Sequence, residues 1–435
     1  MMTQGLQFLI APGALLFFCN REASLVPWRG SVTNHRDSFN HRKTTMKLKT
    51  VIQLLIGRHR RFGGSHRGAG LCCALISCWA VNWLQADDTT PAAAGWRERA
   101  SFAFGRRATA AAFSPDGKTL CLAGGADDES GIIKFFDVAT SRERISLDGH
   151  VTRVNAIAFA PDGKTLASGA GTESEGEIKF WDATSGNSLM TLNPEGGYVL
   201  SLAFSPDGKT LAVGSGYAEN LRYFGRASFW EVASGRELPL VLQGPRGEVT
   251  AIGCVNAGQQ LVTSGSRFDE ASGRNIWEVK LWDAADGKEQ AVLFTSVGPE
   301  VDGIFFNVRS LAISSDGKRI AGAGRDSSQG AYRGALRVWG VNPSADSGFL
   351  SNEKTPVLWS ATFSPDGKML AVGGADDAIR FWDLSTNREQ TSLPSFKGAA
   401  FCLAFSPDGK QLVAGGASVD DANRQSGAVK WWTRP

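Results

Sequence analysis

Eight residues, Phe113-Ser114-Pro115-Asp116-Gly117-Lys118-Thr119-Leu120, constrain the whole chain because they recur. Near-copies begin at Phe159, Phe204, Ile313, Phe363 and Phe405, and a worn version, Val255-Asn256-Ala257-Gly258-Gln259, fills the one gap in the series. The turn glycines fall at positions 117, 163, 208, 258, 317, 367 and 409, in steps of 46, 45, 50, 59, 50 and 42 residues. A self-similar period in the forties means a set of equivalent supersecondary units, none of which buries its apolar face alone. Pro presets φ at the second turn position, Asp tolerates the next corner, and Gly takes the left-handed residue that a Cβ makes costly. Short apolar runs flank the turn, for example residues 108–113 and 119–123, so each copy reads as a β-hairpin.

Between 15 and 24 residues after each turn glycine comes a third run ending in an aromatic and, in most copies, an acid. The pairs are Phe136-Asp137, Trp181-Asp182, Trp230-Glu231, Trp282-Asp283, Trp339-Gly340, Trp382-Asp383 and Trp431-Trp432. Turn and pair alternate strictly, seven of each. In this the chain resembles the WD-repeat β-propeller family over residues 96–435. The resemblance implies an all-β, seven-bladed ring in which each blade is a four-stranded antiparallel sheet and the Trp pair ends the third strand. Ring closure can be read from the same pattern. Trp96-Arg97-Glu98-Arg99-Ala100-Ser101-Phe102 matches the fourth-strand run at residues 141–147, while the chain reaches Pro435 just past a third strand. The N-terminal strand is therefore expected to complete the last blade and leave no open edge.

The family's Gly-His pair occurs once, as Gly149-His150. The resemblance thus implies the family's His–Ser/Thr–Asp–Trp hydrogen-bond set only in blade two, through His150, Ser168 and Trp181. The remaining blades must rely on apolar stacking around Trp230, Trp282, Trp339, Trp382 and Trp431, with small residues nearest the axis.

Charge divides the chain. Residues 1–86 hold 11 Lys and Arg against Glu22 and Asp37, and taking these from totals of 46 and 43 leaves 35 bases against 41 acids. A mildly acidic ring gives no electrostatic reason to expect nucleic acid. The basic residues precede an apolar stretch at 68–84, and Gln85-Ala86-Asp87 offers a small residue for cleavage, so residues 1–86 read as a leader and export signal. Met46 is a candidate true start. Leu75-Ile76-Ser77-Cys78 resembles a lipoprotein box, so Cys78 is a candidate for acylation, and an uncleaved anchor is the third reading. Residues 87–95 form the linker. The expected location is extracytoplasmic (secreted, periplasmic or membrane-anchored), or cytoplasmic if the leader is not real.

Cys121, Cys254 and Cys402 lie one each in blades one, four and seven, without metal-knuckle spacing, and read as small buried hydrophobes. Beyond the leader His150 is the only histidine, so no imidazole relay and no multi-histidine metal centre can be built. The acidic runs at 127–129, 173–177, 376–377 and 420–421 lack the ligand spacing of a calcium loop. The expectation is a non-catalytic, monomeric ring without cofactor, and a binding module for a protein or peptide.

Strand order places the loops joining strands two and three on one face with the blade-to-blade loops. That face carries the insertions and all four tyrosines. The candidate partner-binding residues are Tyr198, Tyr217, Arg222, Tyr223, Phe224, Arg226, Phe268, Phe305, Phe306 and Tyr332, because Tyr and Arg are the types that anchor interfaces. The competing account has these rings fold back and seal the blade tops. An enzyme or sugar-binding ring with carboxylates in its central funnel, and an intracellular scaffold, stand as alternative functions.

Overall fold

The computed structural model describes residues 9–11, 14–16, 95–126, 130–219, 222–242, 247–297, 306–326, 333–342, 348, 350, 355–419 and 425–435. The chain divides into two units, Met1–Asp87 and Asp88–Pro435. Of the first, a short antiparallel pairing of Leu9–Ala11 with Ala14–Leu16 is described. The leader features at Met46, 68–84 and Cys78 lie outside the described residues.

Each repeat of the second unit closes into its own antiparallel sheet. Blade one comprises Arg107–Phe113, Thr119–Gly125, Gly131–Asp137 and Arg142–His150; blade two Ala156–Phe159, Thr165–Gly171, Gly176–Asp182 and Ser188–Leu192. Blade three holds Tyr198–Phe204, Thr210–Glu219, Ala227–Glu231 and the two-residue strand Arg236–Glu237. Blade four holds Glu248–Val255, Gln260–Asp269, Arg274–Asp283 and Glu289–Val297. Blade five has three strands, Phe306–Ile313, Arg319–Asp326 and Arg333–Gly340, and blade six four: Leu358–Phe363, Met369–Gly374, Ala378–Asp383 and Arg388–Pro394. Blade seven is built from Gly398–Phe405, Gln411–Val419, Gln425–Thr433 and, from the start of the ring, Arg97–Ala103. That last strand pairs with its partner from Arg97 opposite Thr433 to Ala103 opposite Ala428, so the expected closure is present.

Among the described residues blade five has three strands, and Leu350 and Thr355 meet the third of them by separate bonds. Leu350 N donates to Leu336 O at 2.8 Å, and Gly334 N to Thr355 O at 2.7 Å.

First strands of successive blades touch all the way round, including blade seven against blade one, so they form the inner wall of a closed ring. Between each neighbouring pair of sheets lies one apolar cluster, seven in all. The third-strand Trp packs backwards: Trp181 sits with Cys121 and Phe135 of blade one, and Trp382 with Leu336 and Val338 of blade five. The residue before it packs forwards, as Phe180 does on Val199 of blade three. In blade seven the register shifts the assignment by one. Trp432 pairs with Leu412 as Trp181 does with Leu166, and it packs back on Phe381, whereas Trp431 takes the forward-facing place against Leu120 of blade one. Trp431 is structural, but it is the counterpart of Phe180.

The repeated turn owes its shape to one more residue than Pro, Asp and Gly. Ser114 Oγ donates to Asp116 Oδ1 at 2.6 Å and accepts from Thr119 N at 2.9 Å, while Asp116 Oδ1 also accepts from Lys118 N at 3.0 Å. Ser205, Ser314, Ser364 and Ser406 repeat this arrangement. The worn turn solves the corner differently: Asn256, Ala257 and Gly258 are all left-handed, with φ of 49°, 54° and 85°. Successive turns also stack, since a Cβ on Gly163 would meet Pro115 and one on Gly208 would meet Pro161, each at 3.4 Å.

The three ring cysteines are unbridged. Burial pushes the Cys402 thiol up to about 12, and its Sγ lies 3.7 Å from Ala108 O of the next blade, so it acts as packing rather than as a nucleophile.

Candidate functional site

The antiparallel order puts second-strand ends and first-strand starts on one face. There, two hairpins run on past their blades. In blade three, strand two pairs with strand three only as far as Gly214 opposite Ala227, and then continues, pairing Tyr217, Ala218 and Glu219 with Phe224, Tyr223 and Arg222. In blade four the ladder is unbroken from Gln260 opposite Asp283 to Asp269 opposite Arg274. The return strand of the first hairpin, Arg222–Phe224, touches the second strand of blade four.

These hairpins bring together part of the aromatic set. Tyr217 and Phe224 stack with centroids 5.2 Å apart and planes at 22°. Tyr217 is half-buried and lies over Gly197, where an added Cβ would come within 2.7 Å of its ring. Phe224 remains 38% exposed. Tyr198, half-buried, opens the first strand of blade three opposite Gly216, and Phe268 is half-buried on the blade-four hairpin opposite Asn275. Arg226 donates to Glu237 at 2.7 Å, and the neighbouring Arg267 to Glu278 at 3.2 Å and Asp269 at 3.3 Å. Arg222 and Tyr223 are placed by backbone pairing, and Phe306 begins blade five opposite Asp326. Phe305 and Tyr332 lie outside the described residues. Below the hairpins a cleft of about 510 Å³ runs between blades three and four, bordered by Arg226, Glu248, Arg267 and Lys280. Burial raises the Glu248 carboxyl to about 7, against the opposing pull of Arg309 and a Ser266 hydrogen bond.

The structural residues behave as a set. His150, 2% exposed, places Nε2 2.6 Å from Ser168 Oγ, which also accepts Trp181 Nε1 at 2.7 Å. Its Nδ1 lies 2.5 Å from Glu177 Oε2. Glu177, drawn from one of the acidic runs, is the acid of this network. Burial would raise its pKa, but His150 and Lys179 outweigh that and hold it below the usual range. Trp230 and Trp282 find neighbouring hydroxyls instead, Ser228 at 3.0 Å and Thr263 at 2.8 Å. The Nε1 atoms of Trp339 and Trp382 are buried without a partner, and the Trp339 ring is met instead by Phe294 and the Arg337 guanidinium. Among the described residues no cluster of acids, His and Cys could hold a metal ion.

The axis itself was missed in the sequence. Six first strands carry a one-residue bulge at the same place, and the residue set off the ladder is Thr109, Leu200, Thr250, Arg309, Trp359 or Phe401. In blade two Asn155 stands at the equivalent point, just before the strand. A bulge re-aims a side chain without breaking the sheet, and several of these residues reach the next blade. Asn155 Nδ2 donates to Val199 O at 3.2 Å, and Thr250 Oγ1 to Val308 O at 3.2 Å. Together with Arg107 and Arg153, both two residues earlier in their repeats, five of these positions line a cavity of about 710 Å³. It draws residues from blades one, two, five, six and seven, which only the centre of the ring can do. Among the described residues the lining of this cavity includes Arg107, Arg153 and Arg309. The signal was available in the sequence as the residues eight and ten places before each turn glycine.

A family model described as WD domain, G-beta repeat matches residues 141–182, 186–217, 344–383 and 389–432. No curated protein matches the chain. The chain is thus a seven-bladed β-propeller, seven sheets closing into one ring, and four stretches of it match the WD repeat.

Proposed function

We propose that the ring is a rigid, non-catalytic platform that holds a protein or peptide partner on its loop-rich face, around the hairpins of blades three and four. WD-repeat propellers are in general interaction scaffolds, and the observation that supports this particular face is the pair of over-long hairpins, one presenting an exposed Phe224. An aromatic ring held out on an ordered strand is a low-entropy anchor for a partner. The arginines beside it are held by Glu237 and Glu278, which makes the aromatic rings the anchors and the ion pairs their frame.

The two stacked rings separate recognition from support. Replacing Phe224 with Ala is expected to abolish partner capture in an affinity pull-down while leaving the melting temperature nearly unchanged. Replacing Tyr217 with Ala, which removes the ring over Gly197, is expected to cost about 2 kcal/mol of stability as well. A large loss of stability for Phe224→Ala, with capture intact, would show that both rings merely seal the blade top.

We also propose that the ring works outside the cytoplasm, on the strength of the basic segment, apolar stretch and small residue that precede it in the sequence. Cell fractionation decides this: recovery of the ring from the cytosol with residues 22–36 still attached removes the proposal.

A further inference from the structure

The hinge beneath the blade-three hairpin carries an inference that rests on the platform reading and concerns its control. Two ladders share the second strand of that blade. One ends where Gly214 faces Ala227, and the other begins where Tyr217 faces Phe224. Between them the arms are joined at Ser215, whose N and Oγ donate to Arg226 O at 3.0 and 3.1 Å. The return arm crosses this point at Gly225, so closely that an added Cβ would run into Ser215 O. Ser215 and Gly216 thus form a hinge, and the stacked rings of Tyr217 and Phe224 stand on it.

Glu248, which opens the first strand of blade four, is seated on that hinge. An added Cβ on Gly216 would come within 2.5 Å of its Cγ and 2.8 Å of its Cβ, so the stem of the acid lies directly against the hinge backbone. The residue borders the cleft between the two blades, and the hydrogen bond that its Oε2 accepts from Ser266 Oγ is long, 3.4 Å. The charged groups around it are Arg226 and Glu237 of blade three, Arg267, Glu278 and Lys280 of blade four, and Arg309 of blade five. Arg226 is engaged by Glu237 at 2.7 Å, Arg267 by Glu278 at 3.2 Å, and Lys280 by Glu278 at 3.2 Å and Glu289 at 2.9 Å. Burial raises the Glu248 carboxyl to about 7, outweighing the pull of Arg309 and the Ser266 bond. Losing the proton there leaves a charge that an enclosed cleft receives poorly. Water or a closer approach to Arg309 relieves it, and either movement lifts the stem from Gly216.

We propose that Glu248 is a proton-operated latch on the loop-rich face. Protonated, it clamps the hinge at Ser215 and Gly216 and keeps Tyr217 and Phe224 ordered for a partner; ionised, it withdraws and frees the hairpin. The folded value lies above the unfolded 4.5, so the stability that the latch adds is complete below pH 4.5 and falls away as pH rises through about 7. That is the reverse of a carboxylate held by cations, and it makes the hairpin firmer in mildly acidic surroundings than in alkaline ones.

The test uses the full chain and hydrogen–deuterium exchange read by mass spectrometry, at about pH 5.5 and about pH 8.5, with rates corrected for the intrinsic pH dependence of exchange. Amides of residues 215–219 and 222–224 are expected to exchange about tenfold faster at the higher pH. Glu248→Gln, of the same shape and unable to ionise, is expected to keep the slow rate at both. Arg309→Gln, which removes the pull on the ionised form, is expected to move the midpoint of the change to higher pH, and it keeps the test open should the first variant fold poorly. Equal corrected rates in the wild type, the same step in Glu248→Gln, a midpoint unmoved by Arg309→Gln, or an acceleration spread evenly over all seven blades overturns the latch. Unchanged exchange together with loss of capture in Phe224→Ala removes the latch and leaves the platform reading standing. A pH step confined to the hairpin, with capture intact in Phe224→Ala, keeps the latch and removes the platform reading.

Discussion

His150 shows how much one side chain can hold in a blade. Its ring meets Ser168 on one side and Glu177 on the other, and Ser168 in turn receives Trp181, so four residues from three strands share one buried network. Replacing His150 with Ala is expected to cost about 3 kcal/mol, because Ser168 and Glu177 are left buried with fewer partners. The network also sets a pH dependence. Glu177 has a folded pKa held below its unfolded 4.5, so the stability it adds is present above pH 4.5 and is lost as pH falls through the folded value. Thermal melts of the wild type and of His150→Ala should therefore converge in acid. His150, Ser168 and Trp181 were legible from a single Gly-His pair. Glu177 was not, because the acidic run at 173–177 reads as a solvated loop until the third strand turns its last member inward.

At the scale of elements, the same hairpin turn is made in three ways. Five copies use a serine hydroxyl to hold the Asp, the blade-two copy has Ala160 in that place and keeps only the Lys164 N–H bond to Asp162, and the worn copy departs altogether, with three left-handed residues in succession, of which Ala257 has neither the freedom of glycine nor the local hydrogen bond of asparagine. Ala257→Gly is expected to raise stability by up to about 1 kcal/mol, since a left-handed non-glycine residue costs roughly 1–2 kcal/mol and glycine's extra unfolded entropy returns part of that. Denaturant melts measure it directly. The aspartates of the serine-held turns have folded pKa values below 3.8; for Asp116, Asp207, Asp316 and Asp366 the Ser hydroxyl is the leading cause, and for Asp408 it acts against burial. These turns are thus firm above pH 3.8 and loosen together as pH falls through the lowered values. The turns were plain in the sequence because their chemistry is local. The bulges of the inner strands were not, because a bulge is a mismatch between two strands; the places eight and ten before each turn glycine could be counted, but nothing local in Arg107, Arg153 or Arg309 marks them as facing the axis. The shift from Trp431 to Trp432 has the same origin: two adjacent indoles leave the register to the partner strand.

At the scale of the whole molecule, seven interfaces of similar construction make a ring in which each sheet is held from both sides. Deleting residues 97–103 removes the outer strand of blade seven and exposes the edge that ends in Trp431 and Trp432. The expected result is a lower melting temperature with loss of a single cooperative transition, together with concentration-dependent aggregation through the bare edge, read by calorimetry and light scattering. A ring that melts unchanged without these residues would mean that closure contributes nothing to its stability. The pairing of Arg97 with Thr433 has a mechanical side too. The two strands are antiparallel, and the chain enters one at the same end where it leaves the other. Force applied across those two points would therefore peel the ladder one bond at a time, like a zip, rather than shear all its bonds at once. If the ring is tethered, it is robust to a load borne by one point alone and vulnerable to tension between the two.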